Sequence, residues 1–367
     1  MLELDLTAEL DRQLSVCNAC RYCEGFCAMF GAAQLRTAIG TNDMAYLANL
    51  CHDCRMCYDA CMFSPPHEYA VNIPEVMAAA RLRTYEDYGV PRTWARMFRR
   101  PRSAALVAVL CGVAIVTAAI VLLSGPHALR TPQLGPGAFY RVVPYAAMVG
   151  GALALVLLAI ASVAISVRQY ARDIGGGTRF MTASAVRTAL HEALALTYLK
   201  GGGAGCYDEG RGSARRRFYH GLVFWGFLAD LASTTSAFIA QDIFHVLPPY
   251  PLWSFPVVLG TAGGIAIVIG AAGLIAVKRG SDSRPTEPRM IALDYAFLAM
   301  LIAVAASGLA LLALRGTSAM GSLLAVHLGA LAGLLATAPY SKFVHFVYRV
   351  VALVDHAHER GAAGSSS

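Results

Sequence analysis

Charge is scarce in this chain. Only 14% of its 367 residues are Asp, Glu, Lys or Arg, and it holds three tryptophans. With a mean hydropathy of +0.53, that scarcity excludes an ordinary soluble domain and points to a polytopic membrane protein. The first residues, MLELDLTAEL, lack an apolar core. No cleavable signal peptide is therefore expected, and the amino-terminal segment is expected in the cytoplasm. A phosphate-binding loop is lacking too: the Gly201–Cys206 run after Lys200 has no G-x4-G-K-[ST] order and reads as a flexible docking loop. No nucleophile–base pair is legible, which argues against a free-standing enzyme. No tandem repeat is evident beyond one cysteine motif.

What is present divides the chain in two. Residues 1–100 are polar and carry eight of the ten cysteines; the remainder is dominated by Ala, Leu, Val, Ile and Gly. Six apolar stretches are long enough to cross a hydrocarbon layer of about 30 Å: Ser103–Ser124, Val142–Val167, Phe218–Phe244, Trp253–Val277, Met290–Leu314 and Gly321–Val351. The expected organisation is an all-α protein. A helical ferredoxin-like head (1–100) precedes a six-helix transmembrane bundle (101–352), with a polar loop at 168–217 and a disordered tail at 353–367.

Basic residues fix the expected orientation. Arg99, Arg100 and Arg102 precede the first span, Arg168 and Arg172 follow the second, and Arg215, Arg216 and Arg217 precede the third. Lys278, Arg279, Arg284 and Arg289 lie between the fourth and fifth, and Lys342 and Arg349 near the end of the sixth. Cytoplasmic loops carry the Lys/Arg excess, so both termini are expected inside a cell inner membrane. The net charge of +7 is then a topology signal and not a nucleic-acid footprint. Pro74–Tyr88 reads as an amphipathic helix. The Trp94 and Phe98 segment, with its arginines, reads as an interfacial helix tethering the head to lipid.

Cys17, Cys20, Cys23 and Cys27 form C-x2-C-x2-C-x3-C, and Cys51, Cys54, Cys57 and Cys61 repeat it. This is the bacterial ferredoxin run for two [4Fe–4S] clusters, in which the fourth cysteine of each run serves the other cluster. The expected ligand sets are Cys17, Cys20, Cys23 and Cys61 for cluster one, and Cys51, Cys54, Cys57 and Cys27 for cluster two. Two four-cysteine zinc sites are the alternative, but zinc does not need a C-x2-C-x2-C triplet. Both runs lack the proline that often follows, having Ala28 and Met62 instead. Residues 32–49 have helical composition. His52 and His67 flank the second run as solvated or capping side chains, with tuning of a cluster as the functional alternative. Cys111 reads as a small buried apolar residue, and His191 as a surface histidine.

Histidines within or at the ends of membrane spans are functional candidates. His220 starts the third span on the inner side and His245 ends it outside; His327 starts the sixth outside and His345 ends it inside. His327 and His345 are eighteen residues apart (327 to 345), five turns of one straight helix. The antiparallel course pairs His220 with His345 and His245 with His327, giving two bis-histidine b-type haems. The rises differ, roughly 37 Å against 27 Å at 1.5 Å per residue, and Pro339 should kink the sixth span. Asp230, mid-span among Ser233, Thr234, Thr235 and Ser236, reads as a helix-buried acid, with a proton relay as the alternative.

The segments CRYCEGFC, LANLCHDCRMCYDAC, PPHEYAVNIPEV, GGGAGC, RRRFYHGLVFWGF, YPLWSFPVVLG and HLGALAGLLATAPYSKFVHFVYR resemble the tricarballylate-utilisation (citrate-utilisation) protein B family over nearly the whole chain. The chain is also similar to the C-terminal half of CobZ-type proteins of cobalamin synthesis. The resemblance implies two [4Fe–4S] clusters, haem b and an FAD-containing tricarboxylate dehydrogenase of the tricarballylate kind as partner. It further implies electron delivery to quinone in the membrane. Direction is left open by the residues: a quinol-oxidising subunit feeding a cytoplasmic reductase is the alternative, and a non-redox transporter or receptor is a third, more distant reading.

Overall fold

A computed structural model describes residues 6–36, 38–175, 181–200, 206–208, 211–282 and 284–365. The head consists of α1 (Leu6–Cys20), α2 (Ala28–Ala33), α3 (Thr41–Leu50), α4 (Met56–Asp59), α5 (Ile73–Tyr88) and α6 (Arg92–Met97). Among its described residues there is no strand, as the sequence leads one to expect, although residues 32–49 form two helices with a turn between them. Asn72 starts α5: its Oδ1 accepts from the Glu75 N–H at 3.3 Å, and Pro74 occupies the first turn where no intrahelical donor is needed.

The bundle comprises α7 (Pro101–Ser124), α9 (Tyr145–Gly175), α11 (Arg215–Asp242), α12 (Phe255–Gly280), α13 (Pro288–Leu314) and α14 (Met320–Thr337). These six, with α14 extended to Tyr340, are the described helices long and apolar enough to cross a membrane. The short α8 (Ala138–Val142) precedes α9, and α10 (Ala183–Leu194) lies between α9 and α11. The strands β1 (Cys206–Asp208) and β2 (Arg211–Ser213) pair antiparallel, and α15 (His345–Ser365) closes the chain.

Glycine permits a close contact between α7 and α14. A Cβ on Gly329 of α14 would lie 2.4 Å from the Val113 Cα on α7, so those backbones touch only because the side chain is missing. The opposite faces are apolar and uncovered: Leu122 is 83% exposed, a surface that suits lipid and not water. Cys111 is on that uncovered face, so the expected burial of this residue is corrected.

Two further expectations are corrected. The sixth span does not continue to Val351. Proline lacks the N–H and clashes with the preceding turn, and at Pro339 the helix gives way to two 3-10 turns, Ala338–Tyr340 and Lys342–Val344. Ser341 Oγ accepts from the Phe343 N–H at 3.3 Å, and the chain restarts as α15 in a new direction. The tail is not disordered from residue 353: α15 runs to Ser365, and Leu353, Val354, Asp355 and His356 are buried. Residues 366–367 and the glycine run 201–205 lie outside the described residues.

Nor is the head merely tethered. Its core (Leu10, Leu14, Met29, Tyr46, Leu47, Leu50, Met77) is continuous with Tyr170 of α9, Ala189 of α10, Met290 of α13 and Tyr348 of α15. The head, α10 and α15 thus gather at one end of the bundle. There α6 and the residue after it rest on the break, with Trp94 and Phe98 each 6.2 Å from the Tyr340 ring centroid.

Candidate electron-transfer sites

Both cysteine runs wrap around the ends of head helices. Cys17 and Cys20 end α1, and Cys27 precedes α2. Cys51 follows α3, Cys57 lies in α4, and Cys61 comes just after it. The loops turn through left-handed residues that are not glycine: Arg21 (φ 56°), Asp53 (φ 53°) and Arg55 (φ 65°). Such conformations cost on the order of 1–3 kcal/mol each and persist where the surroundings dictate them.

Four thiols line one cavity of about 240 Å³: Cys17, Cys20, Cys23 and Cys61. Burial pushes the thiols of Cys17 and Cys23 up to about 12; Cys61 and Cys20 push both further, and Cys17 also raises Cys23. The second group is deeper. Cys51 is buried, and its Sγ accepts from the Asp53 N–H at 3.4 Å. Burial raises Cys27 to about 11, with Cys51 the next cause. Cys57 goes well up, through burial and then Cys54, Cys51 and Cys27. Thiols this reluctant to ionise become thiolates only against compensating positive charge such as iron supplies. Among the described residues no three His, Cys, Asp or Glu side chains close around a single ion. A four-iron cubane holds its ligands farther apart than one ion does.

A second cavity, of about 480 Å³, begins at Cys51 and His52 and runs into the head-side end of the bundle between α11, α13 and α15. His220 of α11 and His345 at the start of α15 both line it. Their ring centroids are 6.3 Å apart and the planes cross at 88°. Two metal–nitrogen bonds of about 2 Å plus two imidazole half-widths of about 1 Å make about 6 Å, so the pair fits one metal between the rings. His345 Nδ1 lies 2.5 Å from the Lys342 carbonyl oxygen. That oxygen can only accept, so Nδ1 carries the proton and Nε2 keeps its lone pair. Burial and then Lys342 push the His345 imidazole down to about 3, which keeps it neutral. His220 Nδ1 is buried without a partner.

The outer pair is not assembled. His245 stands on the exposed turn after α11 with φ 57°. His327 faces α13, its Nδ1 3.1 Å from the Val304 carbonyl and 3.2 Å from Ser307 Oγ. The break at Pro339 also removes the shared helix face expected for His327 and His345. Asp230 is absent from the lining of the large cavity; a Cβ on Gly263 of α12 would lie 2.3 Å from its Oδ1. His67 is a local cap, accepting from the Tyr69 N–H at 3.1 Å.

Sequence reasoning missed the cations around the second cysteine group. Arg81 donates to the Ala48 carbonyl at 2.9 and 2.7 Å and to the Cys51 carbonyl. Arg349 donates to the carbonyls of Asn49 (3.3 Å) and Leu50 (2.9 Å) and meets His52 Nε2. Arg216 donates to the carbonyls of Asp53 (2.5 Å) and His52 (3.3 Å). Three guanidinium groups therefore satisfy the orphan carbonyls at the end of α3 and its following loop, and they surround Cys51 with positive charge. Nothing in the order of the residues marks Arg81 for this role. Arg216 and Arg349 read as orientation signals because they flank apolar runs.

Comparison with known proteins bears on both halves. Residues 10–87 match the model of the citrate utilization protein B Fer4-like domain, and residues 99–366 that of citrate utilization protein B. The citrate utilization protein B of Escherichia coli is 39% identical over 360 residues, covering 96% of this chain and 92% of that protein. No solved structure matches. With one model on its cysteine head, another on its helical bundle, and a relative alike over nearly its whole length, the chain belongs to the citrate utilization protein B family.

Proposed function

We propose that this chain is the membrane electron-transfer partner of a cytoplasmic FAD-containing dehydrogenase that oxidises a tricarboxylate, tricarballylate or citrate-like, and that it delivers the electrons to quinone. Cys17, Cys20, Cys23 and Cys61 would hold one [4Fe–4S] cluster. Cys51, Cys54, Cys57 and Cys27 would hold the other, and His220 and His345 one haem b. When bound, these groups supply one-electron carriers, which divide a two-electron flavin oxidation into single steps. The chain's own work is to hold them in order and exclude water between them.

The observation that carries this reading is the single cavity with Cys51 at one end and both imidazoles on its wall. The same arrangement supports the proposed direction of flow. The first cysteine group is near the surface, where Cys20 is exposed, and is open to a soluble donor; the second adjoins the bundle. On the positive-inside rule the head faces the cytoplasm of an inner membrane. The relative's name supplies the citrate connection.

The test is anaerobic purification with iron, sulfide and haem quantification on the wild type and on His220→Ala. About eight irons in clusters and one haem per chain are expected, with the haem lost in the variant and the clusters retained. Zinc in place of iron, or full haem in His220→Ala, overturns the reading.

A further inference from the structure

The polar end of the large cavity holds a group that the imidazole pair leaves unused. Asp294 of α13 is 7% exposed. Its Oδ2 lies 2.6 Å from Lys278 Nζ on α12, and its Oδ1 2.9 Å from Lys342 Nζ in the turn before α15. Unpaired, any of these charges would be costly to bury; together they hold one another. The triad carries one net positive charge, and both ammonium groups point at the same carboxylate.

One donor is left over. Tyr85 reaches the same cavity from α5 of the head and is 4% exposed, and its hydroxyl is buried with no hydrogen-bond partner. Its ring is stacked on Tyr348, centroids 5.7 Å apart and planes at 17°, which fixes the direction of the hydroxyl. A buried unpartnered hydroxyl is costly to leave unsatisfied. On a cavity wall it marks the seat of a ligand acceptor.

The rest of the cavity defines the ligand. Phe297 and Phe343, with centroids 6.1 Å apart and planes at 76°, give it flat apolar walls together with Leu298 and Leu301. An apolar edge reaches the surface at Phe346, which is 41% exposed. A carboxylate would need a cation to itself, but both lysines are committed to Asp294, and the arginines on the same wall, Arg81, Arg216 and Arg349, donate to the carbonyls around Cys51. A ring carbonyl oxygen needs one neutral donor in a mildly positive field, and that is what Tyr85 and the triad offer.

We infer that Tyr85 and the Lys278–Asp294–Lys342 triad bind the carbonyl end of a quinone headgroup, its ring lying against Phe297 and Phe343. This rests on the quinone-linked reading above.

The test titrates the full-length protein in lipid nanodiscs with a decyl-chain ubiquinone, read by calorimetry, with iron and haem content measured on every sample. Tyr85→Phe keeps the stacked ring and removes only the donor. It should weaken quinone binding about five- to tenfold, the loss of one neutral hydrogen bond, with iron and haem unchanged. The double variant Lys278→Met/Asp294→Asn keeps the net charge and should weaken binding as well. Binding unchanged in Tyr85→Phe overturns the assignment alone. Haem lost in step with quinone overturns it too, because the hydroxyl would then serve the haem. A wild type that binds no quinone removes the assignment together with the reading on which it rests.

Discussion

The two cysteine groups share one spacing and differ in almost everything around it. The first lines an open cavity beside Tyr22 and Met62, which are 65% and 72% exposed. The second is walled in by α3, the arginines of α5, α11 and α15, and the head-side end of the bundle. Spacing determines what kind of group a run can hold; surroundings determine what that group can do. Positive charge beside a cluster favours its reduced form. On the proposed reading, the Arg81, Arg216 and Arg349 shell would make the second group the better electron acceptor and the exposed first group the entry point.

Removing one thiol from each group is the largest perturbation. Cys57→Ser should lower cluster iron from about eight to about four atoms per chain and destabilise the head, since its buried loop loses its anchor. Cys20→Ser, at the surface, should lose a comparable share of iron with a smaller fall in melting temperature. Equal destabilisation by both would erase the contrast in burial. Next in size, Arg81→Met leaves the Ala48 and Cys51 carbonyls without donors, at a cost of about 2–4 kcal/mol. It should also lower the midpoint potential of one cluster only, by an amount on the order of tens of millivolts. Electron paramagnetic resonance during a redox titration separates the two signals; a shift of both, or of neither, breaks the comparison.

A subtler effect concerns the cover of the second group. α15 lies over α2, where a Cβ on Gly31 would be 3.7 Å from the His356 ring. Asp355, one residue before, is pushed up to about 7 by burial and then by Glu359, against the pull of Arg36. Its folded value lies above its unfolded one, so its contribution is complete below about pH 4 and is lost as pH rises towards 7. Asp355→Asn should flatten that part of the pH–stability curve and raise the melting temperature at pH 8 relative to wild type. An unaltered slope between pH 4 and 7 would show that α15 is held by something else. Smallest, Thr182→Ala removes the cap on α10, whose Oγ1 accepts from the Ala185 N–H at 3.3 Å. It should cost about 1 kcal/mol and leave both iron and haem untouched.

Much of this arrangement was legible in the residues, and the parts that were not share a cause. Cysteine spacing and apolar run length are local signals; the six long helices follow the second, and Cys17, Cys20, Cys23 and Cys61 share a cavity. The His220 and His345 rings meet because both residues lie at inner span ends, a property of depth alone. A shared helix face does not account for that meeting, because the expected kink at Pro339 is a full break in the helix. The outer histidines show the same limit: lying at similar depth does not bring side chains together when one stands on an exposed turn. Asp294 was the overlooked clue, an acid inside the fifth apolar run whose partners, Lys278 and Lys342, read as topology signals. Docking of the head was hidden for a different reason. It depends on Tyr88, Tyr170 and Tyr348 meeting across long stretches of chain, and no window of sequence carries that information.

The restart of the chain after Pro339 has a consequence for biogenesis. His345 is carried on α15, which is synthesised after all six spans and belongs as much to the head as to the bundle. The first imidazole is in the membrane long before the second exists. The pocket between them can close only after α15 has emerged and folded back onto a head made before the bundle. Ribosome-bound chains stalled before residue 345 should therefore insert their spans yet be unable to retain haem.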